Sequence, residues 1–222
     1  MVSSRRTENP EMVVRVHPAP HQTSIFNMIE FVKRSILAGV FIGIAGFVYL
    51  SVGSFIGALL FALGLSCVVL YRLNLYTGKA GIWDLKYIHE LMFMLILNSI
   101  GCFAAALIAN FQSGNVGDTL FTIIEARRNA SWLAIFVLSI GTGIIMEAAV
   151  QHSGRSPKPN WIPLILGVPT FILCGMPHCV ADIFYYSLHS IIDFDGWWFL
   201  KPWSAAIAGN FIGCNVPRLF NL

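Results

Sequence analysis

The chain has 222 residues, of which 56% are hydrophobic and 11% are charged, and its net charge is +3. A soluble domain carries about twice that share of charged residues, so the composition excludes an ordinary soluble globular domain. The small positive charge indicates no nucleic-acid partner, because the basic residues follow the ends of apolar segments. We therefore expect a protein embedded in a lipid bilayer.

The chain begins with a polar tail, and an amphipathic segment follows it. Residues 1–22 contain charged residues and prolines but no apolar core, which predicts a disordered or surface tail. In residues 23–34 the apolar side chains recur with helical spacing, which is typical of a helix lying at the membrane interface. A membrane domain is expected over 35–217, with a short C-terminal tail at 218–222.

The apolar segments of the membrane domain predict six spans. A span needs about 20 residues, and no charged residue occurs from Ser35 to Tyr71, so this stretch holds two spans. The six spans are expected at 35–53, 55–71, 88–110, 131–151, 161–190 and 202–217. The predicted fold class is therefore an all-α membrane protein with six transmembrane helices.

The second and fifth spans are expected to be broken. The fifth contains the sequence Gly-Met-Pro-His at 175–178, and Gly and Pro interrupt helices. The short second span is followed by Asn-Leu-Tyr-Thr-Gly at 74–78. One interrupted span in each half indicates inverted repeats with a substrate site between them. The Asn-x-x-Gly elements at 98–101 and 210–213, in the third and sixth spans, indicate the same repeat.

The distribution of Lys and Arg predicts that both termini are cytoplasmic. An even number of spans puts both termini on one side of the membrane. If that side is the cytoplasm, eleven of the 14 basic residues face inward, as the positive-inside rule requires. The three that face outward are Arg127, Arg128 and Lys201.

His178 is the main candidate for a functional residue. An ionisable side chain at a helix break in a membrane usually lines a cavity or a pathway. The alternative is a structural histidine that hydrogen-bonds a backbone group freed by the break. Asp182 follows one helical turn later: it either lies beside His178 and favours the charged imidazolium, or it is solvated at the external end of the helix.

These segments, taken together, resemble the formate–nitrite transporter family over about residues 24–216. The stretch 57–65, followed by Leu-Tyr-Thr-Gly at 75–78, resembles the family's second span and the loop that interrupts it. Residues 175–182 resemble the family's Gly-Phe-Glu-His-x-x-Ala-Asn element in the broken fifth span. The paired Asn-x-x-Gly elements resemble its third and sixth spans. The chain is identified on these motifs as a divergent member.

The resemblance implies an aquaporin-like protomer with its own pore, assembled as a pentamer, in a bacterial inner or plasma membrane. It implies that His178 faces a chamber between two apolar constrictions and that Thr77 contacts it from the other broken span. A basic residue of the external vestibule falls at Arg127. The other expected residues of the pathway are Phe61, Leu65, Leu75, Phe171, Asp182, Asn98 and Asn210. From the residues alone, the phenylalanines also suit plain packing, and Thr77 also suits a cap.

The sequence departs from the family around the histidine. Pro177 stands where the family has Glu, and Asp182 stands where it has Asn. In the fourth span, Gly141-Thr142-Gly143 stands where the family has an Asn near the chamber. The fold is therefore expected to carry over more directly than the substrate.

Three functions compete for this sequence. The first is a channel or proton-linked carrier for small monovalent anions or their protonated acids, of the formate, nitrite, acetate, lactate or hydrosulfide type. A bare anion meets a large desolvation cost at an apolar constriction and a neutral acid a much smaller one. His178 would give the anion a proton or stabilise its charge.

The second function is an aquaporin-like channel for small neutral solutes, although the Asn-Pro-Ala pair of aquaporins does not occur. The third is a membrane metalloenzyme or haem subunit, which needs several histidines at ligand spacing within the membrane. We favour the first function, and we expect neither enzyme activity nor a cofactor. The five cysteines are interpreted as packing residues and not as metal ligands or disulfides. The expected partners are small monovalent anions, protons, the lipid bilayer and further copies of the chain.

Overall fold

A computed structural model describes residues 25–82, 85–112, 116–155 and 160–220, and in these residues the chain forms helices and turns but no strand. The predicted tail at 1–22 lies outside the described residues. The α-helices of the described residues are α1 Ile25–Val52, α2 Ser54–Leu70, α3 Tyr76–Lys79, α4 Ile88–Ala109, α5 Gly117–Asn129, α6 Trp132–Arg155, α7 Ile162–Leu173, α8 Cys179–Ile192 and α9 Leu200–Leu219.

Each predicted span coincides with a helix or with a pair of helices. The second span is α2 followed by the short α3, and the fifth is α7 followed by α8. We call residues 71–75 the first break and residues 174–178 the second break. Three helical stretches are long and apolar enough to cross a membrane, and α2, α7 and α8 are shorter apolar helices. The three long stretches are Asn27–Val52, Leu85–Ala109 and Trp132–Gln151.

Two features of the fold differ from the sequence-based expectation. Residues 25–34 of the predicted amphipathic segment do not form a separate helix, because α1 continues without interruption from Ile25 into the first span. No Gly or Pro occurs between Ile25 and Gly39 to end the helix. The second difference is helix α5, which lies between the third and fourth spans and packs against α8 and α1. Its sequence is too polar to predict a transmembrane span, and no helix was predicted there from the sequence.

In the first half of the chain, α1 and α4 pack closely enough for glycine to be required. A Cβ atom at Gly39 would overlap the backbone of Asn98, and one at Gly101 would overlap the backbone of Ile36. Small residues at such positions allow helix backbones to approach each other in membranes.

The second half repeats this packing between α6 and α9. A Cβ atom at Gly143 would overlap the backbone of Asn210, and one at Gly213 would overlap the backbone of Ile140. Across the two halves, α2 packs against α7 and α4 packs against α8. The fold is therefore an inverted repeat whose halves meet where their broken spans lie.

Candidate functional site

Both broken spans end their first helix with the same kind of turn. In α7 the amide of Met176 donates to a carbonyl five residues back, at 2.9 Å, and Gly175 has a left-handed φ of 64°. In α2 the amide of Leu73 makes the equivalent bond at 2.9 Å, and Arg72 has a left-handed φ of 53°. This six-to-one bond with a left-handed residue is the Schellman motif, which ends helices.

Asn210 of α9 fills the second break with its side-chain amide. Its Oδ1 accepts from the amide of Cys179 at 2.8 Å, and its Nδ2 donates to the carbonyls of Pro177 at 3.1 Å and Ser139 at 2.8 Å. Backbone groups freed by a break must find partners inside a membrane. Asn210 supplies two of those bonds, ties the break to α6 through Ser139, and is fully buried.

Asn98 of α4 fills the first break in the same way. Its Oδ1 accepts from the amide of Tyr76 at 2.9 Å, and its Nδ2 donates to the carbonyls of Asn74 at 2.8 Å and Ser35 at 2.7 Å. The structure thus places both asparagines of the paired motif on the backbone of the breaks. Neither of them lines the cavity described below.

His178 is the N-cap residue of α8. Its Nδ1 accepts from the amide of Ala181 at 3.0 Å, and its Nε2 lies 2.9 Å from Oγ1 of Thr77. An Nδ1 that accepts a hydrogen bond carries no proton, so the neutral ring is protonated at Nε2 and donates to Thr77. The ring also stacks on Phe171, with 5.6 Å between the ring centroids. The structure therefore brings together His178 and Thr77, one from each broken span.

The remaining apolar residues expected in the pathway lie in the core. Phe61 and Leu65 are on α2, Leu75 directly precedes α3, and each of the three is at most 2% exposed. Their predicted role as constrictions remains a prediction. Phe171 differs from them because it both stacks on His178 and lines the cavity.

Asp182 forms a buried ion pair with Arg127 of α5. Nε of Arg127 donates to one carboxylate oxygen at 3.0 Å and Nη2 donates to the other at 3.3 Å. The side chain of Asp182 is 2% exposed and that of Arg127 is 10% exposed. A third bond runs from Nη1 of Arg127 to the carbonyl of Gly175 in the second break, at 3.0 Å.

This pair replaces both sequence-based interpretations of Asp182. The carboxylate is not solvated, because it is buried, and its ion-pair partner is Arg127 and not His178. Arg127 itself had been expected to be a solvated residue of the vestibule. It is buried because α5, which the sequence analysis missed, carries it against the second break.

A cavity of about 210 Å³ lies between α5, the end of α7 and the start of α8. We call it the α5 cavity. Its lining includes Tyr49, Arg127, Phe171, His178, Asp182 and Tyr185. Four residues expected in the pathway therefore line one cavity, namely Arg127, Phe171, His178 and Asp182. Thr77 does not line this cavity but contacts His178.

Two thiols connect the halves and were not singled out by sequence. Sγ of Cys102 in α4 lies 3.3 Å from the carbonyls of Val180 in α8 and of Gly39 in α1. Sγ of Cys214 in α9 donates to the carbonyl of Thr77 in α3 at 3.3 Å. Each cysteine follows the asparagine of its half by four residues, so the paired spacing was the available signal. Within the described residues, no group of three or more His, Cys, Asp and Glu is placed to hold a metal ion.

Arg128, next to Arg127, joins α5 to the loop between α8 and α9. It forms an ion pair with Asp195 and lies 4.4 Å from the ring centroid of Trp198. Asp195 also accepts from the indole of Trp198 at 2.8 Å and lies 3.5 Å from Nε2 of His189. We call these four residues the outer clasp. Burial slightly opposes ionisation of Asp195, but hydrogen bonds from Arg128, Trp198 and His189 outweigh it and lower its pKa.

Comparison with known proteins points in one direction. The family model for formate/nitrite transporters matches residues 11–217. The formate channel FocA of Haemophilus influenzae is 24% identical over 146 residues, which cover 58% of this chain and 51% of that protein. The alignment thus spans about half the length of this curated relative.

Two solved structures share the fold. The first is a pentameric formate channel with formate bound, with a TM-score of 0.76 and 19% identity, covering 89% of this chain and 97% of that one. The second is an ion channel of the FNT family, with a TM-score of 0.74 and 15% identity, covering 89% and 92% of the two chains.

Proposed function

Because this chain belongs to the formate/nitrite transporter family, we propose that it is a channel or proton-linked carrier for small monovalent anions or their protonated acids. Members of this family are membrane channels and transporters and not enzymes. The candidate substrates are formate, nitrite, acetate, lactate and hydrosulfide. Formate stands first among them, because the similar proteins are named as formate channels.

The observation that carries the proposal is the contact between Nε2 of His178 and Oγ1 of Thr77, at 2.9 Å, where the two broken spans meet. Both side chains are buried, and Phe171 stacks on the ring. An ionisable side chain within a membrane domain usually marks a substrate pathway. The contact offers hydrogen bonds to a small polar solute at the centre of the membrane domain.

The geometry favours a neutral His178 as a hydrogen-bond donor. Loss of the Nε2 proton would turn the neutral ring into an imidazolate, and protonation of Nδ1 would displace the amide of Ala181 that caps α8. The positive end of the helix dipole also disfavours an imidazolium at this position. We therefore propose that His178 polarises Thr77, whose own O–H donates to an oxygen of the substrate. The anion takes its proton from the bulk solution at the mouth of the cavity, since His178 gives none, and crosses the apolar segments as the neutral acid.

We further propose a six-span topology with both termini in the cytoplasm, in agreement with the distribution of Lys and Arg. The spans are α1, α2 with α3, α4, α6, α7 with α8, and α9. Helix α5 then lies on the external side, and the α5 cavity is the external vestibule. Phe171 forms a constriction on that side, and Phe61, Leu65 and Leu75 form the cytoplasmic one. The solved pentameric relative supports a pentamer. We also propose one pore per protomer and a location in a bacterial inner or plasma membrane.

A second candidate function is a channel for small neutral solutes. The observation in its favour is the pairing of Arg127 with Asp182, which leaves the α5 cavity without an excess of positive charge. The two functions differ in whether the transported species carries a proton that it releases on the far side.

The test is uptake by purified protein in liposomes with an internal pH probe. Formate, nitrite, acetate, lactate and hydrosulfide are compared with glycerol, and protein-free liposomes serve as the baseline. We expect acid uptake with acidification of the lumen, a large loss of uptake in Thr77→Val, and retention of uptake in Thr77→Ser, which keeps the hydroxyl. Uptake of glycerol without uptake of any acid would favour the neutral-solute channel.

A further inference from the structure

We propose that Asp182 determines the substrate class of the α5 cavity: by holding Arg127, it keeps the cavity neutral overall, so that weak acids pass in preference to permanently charged anions. This inference rests on the proposed function and makes it more specific. It concerns the charge of the cavity, and not only the contact between α5 and α8.

The first step of the argument is the use of the guanidinium. Arg127 donates to both carboxylate oxygens of Asp182, at 3.0 and 3.3 Å, and to the carbonyl of Gly175, at 3.0 Å. A guanidinium binds carboxylates through such paired bonds, and here its fork is already filled from within the chain. A carboxylate or nitrite that enters the cavity therefore meets an arginine whose matching face is occupied.

The second step is the charge balance of the cavity. Among the described residues that line it, Arg127 and Asp182 are the groups with opposite formal charges, and His178 is the remaining titratable base. Since His178 caps α8 through an unprotonated Nδ1, the lining as described carries no net charge. A paired dipole attracts an anion far less at a distance than a single cation does.

The third step is competition for the arginine. Asp182 is tethered on α8 beside Arg127, so its effective concentration at the guanidinium exceeds that of a free anion. Displacing it would also leave a carboxylate that is 2% exposed without its partner, and an unpaired buried charge is strongly unfavourable. A free anion therefore does not replace Asp182 at the guanidinium of Arg127. A neutral acid passes without binding this guanidinium.

A charge series separates this role from a merely structural one. At one fixed pH, the flux of nitrate, a permanently charged anion, is measured relative to that of acetate in proteoliposomes. Asp182→Asn makes the cavity positive, Arg127→Met removes its cation, and the double variant Arg127→Met/Asp182→Leu removes both charges. Asp182→Glu is the control that retains both charges, and size-exclusion chromatography checks the assembly of each variant.

We expect the nitrate-to-acetate ratio to rise about tenfold or more in Asp182→Asn, since a local cation raises the concentration of anions in a cavity. The ratio should not rise in Arg127→Met, which has no cation in the cavity, and it should stay at the wild-type value in the double variant and in Asp182→Glu. A double variant whose ratio rises as far as that of Asp182→Asn would overturn the proposal, because geometry and not charge would then control the flux.

The series remains decisive if Asp182→Asn does not assemble. The ratio must then stay at or below the wild-type value in Arg127→Met and stay unchanged in the double variant, and a rise in either variant overturns the inference. A wild-type protein that transports neither acetate nor any other acid of the panel instead refutes the proposed function. If the wild-type protein transports acetate but the nitrate-to-acetate ratio is the same in every variant of the charge series, only the present inference is refuted.

Discussion

The first and second breaks share their backbone framework and differ in what they carry. Each follows a helix that ends in a left-handed residue, and the backbone of each is hydrogen-bonded by an asparagine side chain. In the helix after each break, a backbone carbonyl accepts a hydrogen bond from a cysteine of the other half. The second break adds a histidine cap and a buried ion pair, whereas Leu75 at the same position of the first break provides no capping side chain. Framework and chemistry are thus separable: residues with a counterpart in the other half hold the breaks, and residues without one are the candidates for function.

The largest expected effect tests the shared framework. Asn98→Leu and Asn210→Leu keep the branched side-chain shape but leave two backbone groups at each break without their side-chain partner. We expect each variant to lose about 3 kcal/mol or more of stability, since each unsatisfied buried group costs 1–3 kcal/mol. Thermal unfolding of the detergent-solubilised protein measures the loss. A large loss in one variant and none in the other would show that the two breaks are not equivalent.

The next test concerns the glycines that bring the helices of each half together. Gly101→Ala and Gly213→Ala each place a Cβ atom against the backbone of the neighbouring helix. We expect about 2 kcal/mol of destabilisation in both variants, the usual cost of overpacking. Gly117→Ala is the control, because a Cβ atom there has nothing within 4 Å. If Gly117→Ala lowers the unfolding temperature as much as the other two do, the close packing is not the cause.

A smaller effect separates capping from transport at the second break. His178→Ala removes the Nδ1 acceptor that caps α8 and should cost about 1 kcal/mol of stability. His178→Asn offers another capping oxygen and should recover most of that stability. Neither variant provides the contact of Nε2 with Thr77, so both should lose acid uptake in liposomes. Normal uptake by His178→Asn would mean that the histidine is only a cap.

Substitutions of the left-handed residues in the two breaks should change the stability in opposite directions. Gly175→Ala places a Cβ on a residue with φ of 64° and should destabilise the protein by about 1 kcal/mol. Arg72→Gly relieves the same strain at φ of 53° and should be neutral or slightly stabilising, because glycine also loses more entropy on folding. The difference between the unfolding midpoints of the two variants is the measurement. Equal losses in both would contradict the shared turn geometry.

The smallest effect concerns the outer clasp, which joins α5 to the C-terminal end of α8 and has no counterpart among the described residues of the first half. The pKa of Asp195 is lowered in the folded protein, so its ionised form stabilises the fold above the unfolded pKa of about 4. This contribution is lost as the pH falls through the folded pKa. Because Asp195 is largely exposed, we expect Asp195→Asn to cost less than about 1 kcal/mol at pH 7. At a pH of about 3 the variant and wild type should unfold at nearly the same temperature.

Much of the fold could be predicted from the sequence because local rules determine it. Apolar length locates the spans within a few residues, and Gly175 and Pro177 mark the second break. The resemblance to the formate–nitrite transporter family and the absence of enzyme function, both inferred from these motifs, are confirmed. The paired Asn-x-x-Gly elements revealed the repeat, although the backbone bonds of Asn98 and Asn210 required the three-dimensional structure.

The partner of Asp182 could not be predicted, because it depends on a contact between distant segments. Arg127 lies 55 residues earlier, on a helix whose polar sequence resembles that of a loop. The basic residue one helical turn from Asp182 is His178, so both interpretations of the carboxylate omitted Arg127, the residue that binds it. Continuity of α1 was missed for a related reason: amphipathic and apolar stretches join smoothly when no breaker separates them.

The two cross-half thiols bear on how such a protein is made. The ribosome delivers the first half to the membrane well before Cys214 is synthesised, so the carbonyl of Thr77 must wait for a donor from the last helix. His178, which contacts the same threonine from a residue 101 positions away, also arrives late. The contact between the two breaks is therefore completed near the end of translation, and a nascent chain that ends before α8 lacks it.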